Sequence, residues 1–203
     1  LSPRTFGEMY ANDCKLLSFF AWLMKKSNPI TNIFPLKFES ARHFEEVIVL
    51  IIRFITFTRI SDILDPKPIL IHNLAQGPQS IDELQEGLPE SCSEGQFECL
   101  LEEVSVKVGK KFELKPEYYS SVDPCHPILF SVEERTKVIS YLKSKNHSVW
   151  NNVFGANSDF DLEPLKAVIL QCPNEYVQSN ELLLKNLFAR LNDLPFFRLK
   201  LES

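Results

Sequence analysis

The stretch VSVKVGKKFELKPE, Val104 to Glu117, decides how this chain is read. Apolar residues alternate along it: Val104, Val106 and Val108 in one direction, Phe112 and Leu114 on the way back. A period of two is the mark of a strand with one face against a core. Gly109-Lys110 lies between the two runs as a two-residue turn. A type II′ turn needs positive φ at its first position, which glycine adopts freely. The spacing therefore predicts one small antiparallel hairpin, rich in lysine at Lys107, Lys110, Lys111 and Lys115.

Everything upstream of it reads as helix. Thr5 and Glu8 have capping-box spacing and predict a first helix, which Asn28-Pro29 stops. Ser40 can cap a second helix running to about Arg59. Its Phe44, Val47, Ile48, Ile51, Ile52 and Ile55 follow the helical period. Leu50, Phe54 and Phe57 widen the stripe until the helix is apolar nearly all round, as a central spine must be. Arg53 interrupts that run, so its guanidinium is expected to reach water or a carboxylate. Asp65-Pro66 opens a helix with the face Ile69, Leu70, Ile71 and Leu74, and Gly77-Pro78 ends it. Ser80 with Glu83, and Ser93 with Gln96, open two more short helices.

Three short helices followed by a hairpin is the order of a winged helix. The predicted fold is mainly α, a helical bundle with an embedded winged helix of three helices plus a two-stranded hairpin. The expected divisions are an N-terminal helical region, 1–64, the winged helix, 65–122, and a C-terminal helical region, 123–203. In the last region Ser131 and Glu134 open a helix to about Ser144, NHSVWNNVFGANSD is a loop, and helices are expected around Pro164–Gln171 and Glu175–Leu194.

Winged helices often place their third helix in the major groove of DNA. Here that helix carries Glu94, Glu98, Glu102 and Glu103, and no Lys or Arg lies between Ser93 and Val104. Four carboxylates would face a polyanion, and no arginine is available to read guanine. The net charge of −5 points the same way. No nucleic-acid partner is expected, and the hairpin is read as architectural or protein-facing.

The chain has 203 residues, 44% of them hydrophobic and 24% charged, which is the composition of a globular protein. It starts LSPRTFG and ends PFFRLKLES, and is expected to be a fragment of a longer protein. Five cysteines, Cys14, Cys92, Cys99, Cys125 and Cys172, are scattered without a CxxC pair, the pattern of reduced thiols in a cytosolic or nuclear protein. The most apolar run, Val47 to Phe57, is too short to span a bilayer, so no membrane is expected. Cys125-His126 invites a metal reading. Flanking Pro124 and Pro127 make DPCHP a rigid turn instead, and no second pair lies at finger spacing. His72, on the helix ILIHNL, is expected to be satisfied locally. No GxSxG, P-loop or GxGxxG is present, and the pairs Glu45-Glu46, Glu102-Glu103 and Glu133-Glu134 diverge on a helix. No catalytic, cofactor-binding or metal-binding residue is assigned.

Residues 44 to 120 resemble the N-recognin family, the UBR-box ubiquitin-protein ligases of the N-degron pathway. The likeness is an order of motifs: FEEVIVLII (44–52), ILIHNLAQGPQSIDEL (69–84), GLPE (87–90) and FELKPE (112–117). EPLKAVILQC (163–172) is similar to a helix that follows a longer linker in the family. The resemblance implies a parent ligase that ubiquitinates substrates for proteasomal degradation, with a ubiquitin-conjugating enzyme and protein substrates as partners. Zinc is implied for the parent's UBR box and RING. Neither motif occurs in this chain, so no zinc ligand or degron-contacting residue is carried over. The fragment would be internal scaffold. A winged-helix subunit of a cullin-like or proteasome-lid-like assembly is the alternative, and a DNA-binding winged helix a third.

Overall fold

The structure, a computed structural model, describes residues 38, 40–56, 64–152, 163–191 and 193. The helix expected from Thr5, and the chain ends, lie outside these residues. Within them the fold is mainly helical, with one small antiparallel hairpin. The chain divides into two compact units, residues 1–51 with 156–203, and residues 52–155.

The helix α1, Ala41–Thr56, contributes to both units. Ser40 caps it, its hydroxyl accepting from the His43 amide at 3.1 Å. Phe44, Val47, Ile48, Val49, Ile51, Ile52 and Ile55 are all buried. Three consecutive buried positions, 47 to 49, mean that more than one side of the helix is covered, as its composition requires.

In the second unit, α2 (Pro66–Leu74) begins where the sequence places it: the Asp65 carboxylate accepts from the Lys67 amide, and Pro66 occupies the first turn. Ile69, Leu70, Ile71 and Leu74 are buried. Gly77 then takes φ +127°, a conformation that side chains resist. Helix α3 (Ile81–Glu86) opens on a reciprocal capping box between Ser80 and Glu83. Helix α4 (Glu94–Val104) is capped by the Ser93 hydroxyl, which accepts from the Gln96 amide. Strands β1 (Ser105–Val108) and β2 (Lys111–Leu114) pair antiparallel, Val108 opposite Lys111 and Ser105 opposite Leu114. Gly109 turns the corner at φ +64°.

The hairpin differs from expectation in one respect. Val104 does not start the strand but ends α4, fully buried, and Val106 and Val108 are 43% and 53% exposed. The core face of the hairpin is carried by Ser105 and Leu114 instead. The sheet also gains a third contact: Gln79 and Phe112 exchange both main-chain hydrogen bonds, at 3.1 and 2.7 Å.

A 3₁₀ turn, Pro116–Ser121, leads to the buried segment 122–127, and α5 (Val132–Ser144) follows behind a Ser131–Glu134 capping box. The core of this unit joins Leu70, Leu74, Leu84, Phe97, Leu101, Val104 and Leu114 to Val122, Leu129, Val138 and Leu142. Half of the Asn-rich loop candidate, residues 153–159, is outside the described residues, and Val149–Asn151 in the other half makes a 3₁₀ turn.

In the first unit, α6 (Glu163–Gln171), α7 (Asn174–Ser179) and α8 (Glu181–Arg190) bury Leu165, Ile169, Val177, Leu183, Leu184, Leu187 and Phe188. The single helix expected over Glu175–Leu194 is two. The break falls at Asn180, whose side chain donates to the carbonyls of Tyr176 and Ala41 and so takes over bonding that a continuous helix would make with its backbone.

Candidate interaction surface

Two arrangements in the second unit gather polar chemistry, one inside and one outside. The inner one surrounds the DPCHP turn. Arg53 is buried, and its guanidinium donates to the carbonyl of Cys125 at 3.0 Å, to that of His126 at 3.4 Å and to that of Leu129. Acceptors of this kind were not among those the sequence suggested. A planar fork with five donors suits a tight turn whose carbonyls converge. Asp123 braces the same turn, accepting from the Cys125 amide at 2.8 Å.

His72 and His126 stack beside it, ring centroids 4.1 Å apart and planes inclined by 22°. His72 Nδ1 lies 2.6 Å from the Pro68 carbonyl, and its Nε2 accepts from the Asp123 amide at 2.9 Å. The carbonyl can only accept and the amide can only donate, so His72 is a neutral ring with its proton on Nδ1. His126 Nδ1 accepts from the Ile128 amide at 3.3 Å. Burial pushes the pKa of His72 below the ordinary histidine value. His126 is lowered to about 2 by burial first, then by His72 and Arg53. Both rings are spacers and hydrogen-bonding elements at neutral pH. The sequence read His72 as locally satisfied. It did not foresee the stack with His126, 54 positions away in the chain, since nothing local records such a pairing. Among the described residues, no group of three His, Cys, Asp or Glu side chains gathers in a geometry suited to a metal ion.

The outer arrangement is built by α4 and the hairpin. Most wing lysines are occupied. Lys115 reaches the carbonyls of Glu102 and Glu103 at 2.7 Å each, a cation at the carboxyl end of α4 where the helix dipole favours one. Lys111 donates to the Pro78 carbonyl at 3.4 Å, and Lys107 lies over the Phe112 ring at 5.8 Å. Lys110 occupies the exposed tip. Glu103 pairs with Lys67 at 2.6 Å and accepts from the Tyr118 hydroxyl; the Lys67 hydrogen bond holds its carboxyl below the usual carboxylate range. What remains is an open groove of about 550 Å³ lined by Glu98, Leu101, Glu102, Ser105, Lys107 and Phe112. Glu94, like Glu98 and Glu102, is exposed on α4. The arrangement offers no nucleophile–base pair, and its chemistry is that of recognition: two carboxylates, one ammonium, an aromatic ring and a strand edge.

No protein-family model, curated protein or solved structure matches this chain. Among the described residues, no helix is long and apolar enough to cross a membrane.

Proposed function

We propose that this chain is an internal scaffold and protein-interaction segment of an N-degron-recognising ubiquitin-protein ligase, with residues 65–122 forming a winged helix. The observation that supports it best is the work done by the residues that carry the family resemblance. In ILIHNLAQGPQSIDEL, Ile69, Leu70, Ile71 and Leu74 are buried, His72 braces the Asp123 turn, Ser80 and Glu83 form a capping box, and Leu84 is in the core, while Ile81 is exposed. In FELKPE, Phe112 bonds Gln79, Leu114 is buried, Lys115 meets the end of α4 and Pro116 starts the 3₁₀ turn. The shared motifs are thus requirements of a fold, which is what a scaffold segment would keep. The pairing of Gln79, between α2 and α3, with Phe112 ties the hairpin to the helices, which supports the winged-helix assignment.

In this reading the ubiquitin-conjugating enzyme and the substrates are engaged through the parent protein, in the cytoplasm or nucleus, and zinc belongs to its UBR box and RING. The test is genetic. Removing the coding segment for this chain should stabilise a reporter protein bearing a destabilising N-terminal arginine or phenylalanine. An unchanged reporter half-life overturns the ligase reading and leaves a winged-helix scaffold of another assembly.

A further inference from the structure

We infer that the outer edge of β1 is a docking site for an extended peptide strand of another protein, a strand with one Arg or Lys flanked by β-branched residues. The inference stands on the hairpin's geometry and does not depend on the ligase reading. Phe112 spends its main-chain N–H and C=O on Gln79. In an antiparallel ladder those groups cannot also serve the residue opposite, Lys107, so Phe112 and Lys107 form a non-hydrogen-bonded pair. The N–H and C=O of Lys107 therefore point away from β2, to the free edge. Among the described residues no strand pairs with that edge.

Side chains on the two faces of this edge define the occupant. Val106 and Val108 lie on one face, 43% and 53% exposed, two β-branched residues with area left for a partner to cover. On the other face is the groove between β1 and α4. Lys107 is drawn back over Phe112, and among the described residues neither Glu98 nor Glu102 has a salt-bridge partner. Two carboxylates against one ammonium leave one negative charge. An added strand alternates faces. Its residue exchanging hydrogen bonds with Lys107 points into the groove, where one cationic side chain balances the charge. Its neighbours on either side lie beside Val106 and Val108, where valine or threonine fits. A strand edge normally invites indiscriminate pairing, and the charge in the groove supplies selection.

The experiment uses the full 203-residue chain and the probe acetyl-Thr-Val-Arg-Val-Thr-amide, followed by calorimetry and by amide shifts of residues 105–108. Affinity on the order of 10–100 µM is expected, given so small an interface. Replacing the peptide's Arg by Glu, or the protein's Glu98→Gln with Glu102→Gln, should weaken binding at least about tenfold, since a charge-assisted contact is lost. N-methylation of the peptide's Arg amide, and Lys107→Pro in the protein, should abolish it, with Lys107→Ala retaining it. Proline is tolerated here because edge strands accept it where its missing N–H faces outward, and an unchanged melting temperature checks this. Absence of binding at millimolar peptide overturns the proposal. So does equal binding of the N-methylated peptide, which would mean charge attraction without strand pairing. A concentration-dependent dimer by sedimentation that Lys107→Pro dissolves also overturns it, assigning the edge to a second copy of the chain.

Discussion

Arg53 occupies a place in the apolar helix that an aliphatic residue would fill more cheaply, and its partners explain why it is retained. Three carbonyls of the 125–129 turn converge on one guanidinium. Arg53→Met keeps the stem but takes a charged donor from these carbonyls, of which that of His126 keeps the Leu129 amide, and each acceptor left unsatisfied costs about 1–3 kcal/mol. The urea midpoint should fall accordingly, and Arg53→Lys should recover only part of the loss because an ammonium lacks the fork. An Arg53→Met protein as stable as the parent would show that water replaces the guanidinium. His72 and His126 make the second residue-scale prediction. Both have folded pKa values lowered from 6.5, mainly by burial. Between the lowered value and 6.5 the unfolded chain binds more protons than the folded one, so stability rises with pH there and is level above. Stability measured by urea at pH 7.5 and pH 5 should therefore fall toward the acid side. The double variant His72→Gln, His126→Gln should show a shallower fall over that interval. Equal slopes would mean that neither ring is held neutral by the fold.

At the scale of elements, the start of each helix was legible where a cap announced it. Asp65, Ser80, Ser93 and Ser131 all accept the expected amide. Caps are local chemistry, and local chemistry can be read from one window of sequence. The turn at Gly109 was legible for the same reason. With φ +64° and no atom within 4 Å of where a Cβ would stand, any penalty there is backbone strain alone. Gly109→Val should cost about 1–2 kcal/mol in thermal unfolding, and Gly109→Asn less, since Asn tolerates that conformation. Equal losses for the two would mean that the turn changes type. Other features were not legible. Val104, Val106 and Val108 have the alternation of a core-facing strand, yet Val104 closes a helix and the other two face outward. Three valines cannot state which face is buried when β2 and Gln79 decide it through pairing. The break at Asn180 was missed because its cause is a hydrogen bond to Ala41, 139 residues away. The groove beside β1 was missed for a related reason. Its glutamates were noted as an argument against DNA, but their proximity to Phe112 and to a free strand edge exists only after folding.

At the scale of the whole molecule, charge and the spine helix each carry a prediction. The net charge is −5, α4 has no basic residue, and Lys111 and Lys115 are engaged with carbonyls. Binding to duplex DNA should be weak in a gel-shift assay and lost at moderate salt, because few phosphates can be neutralised. A sequence-selective, salt-tolerant complex would replace the ligase proposal with a transcription factor. The spine helix asks a different question, whether this segment holds geometry or performs work. Ile51 and Ile52 are fully buried at adjacent positions, the first in the unit formed by 1–51 with 156–203, the second in the unit 52–155. Ile51→Ala should destabilise by about 2–5 kcal/mol, the range for emptying a buried aliphatic site. A loss of that size is comparable with much of a domain's net stability, so the folded population should drop. In the proposed parent ligase, Ile51→Ala should then lower protein abundance and substrate degradation together. The decisive comparison is ubiquitination rate per folded molecule. A scaffold predicts that this rate is unchanged while abundance falls. If the rate per molecule collapses and the melting temperature does not move, then Ile51 belongs to a working surface, and the scaffold reading of α1 is wrong.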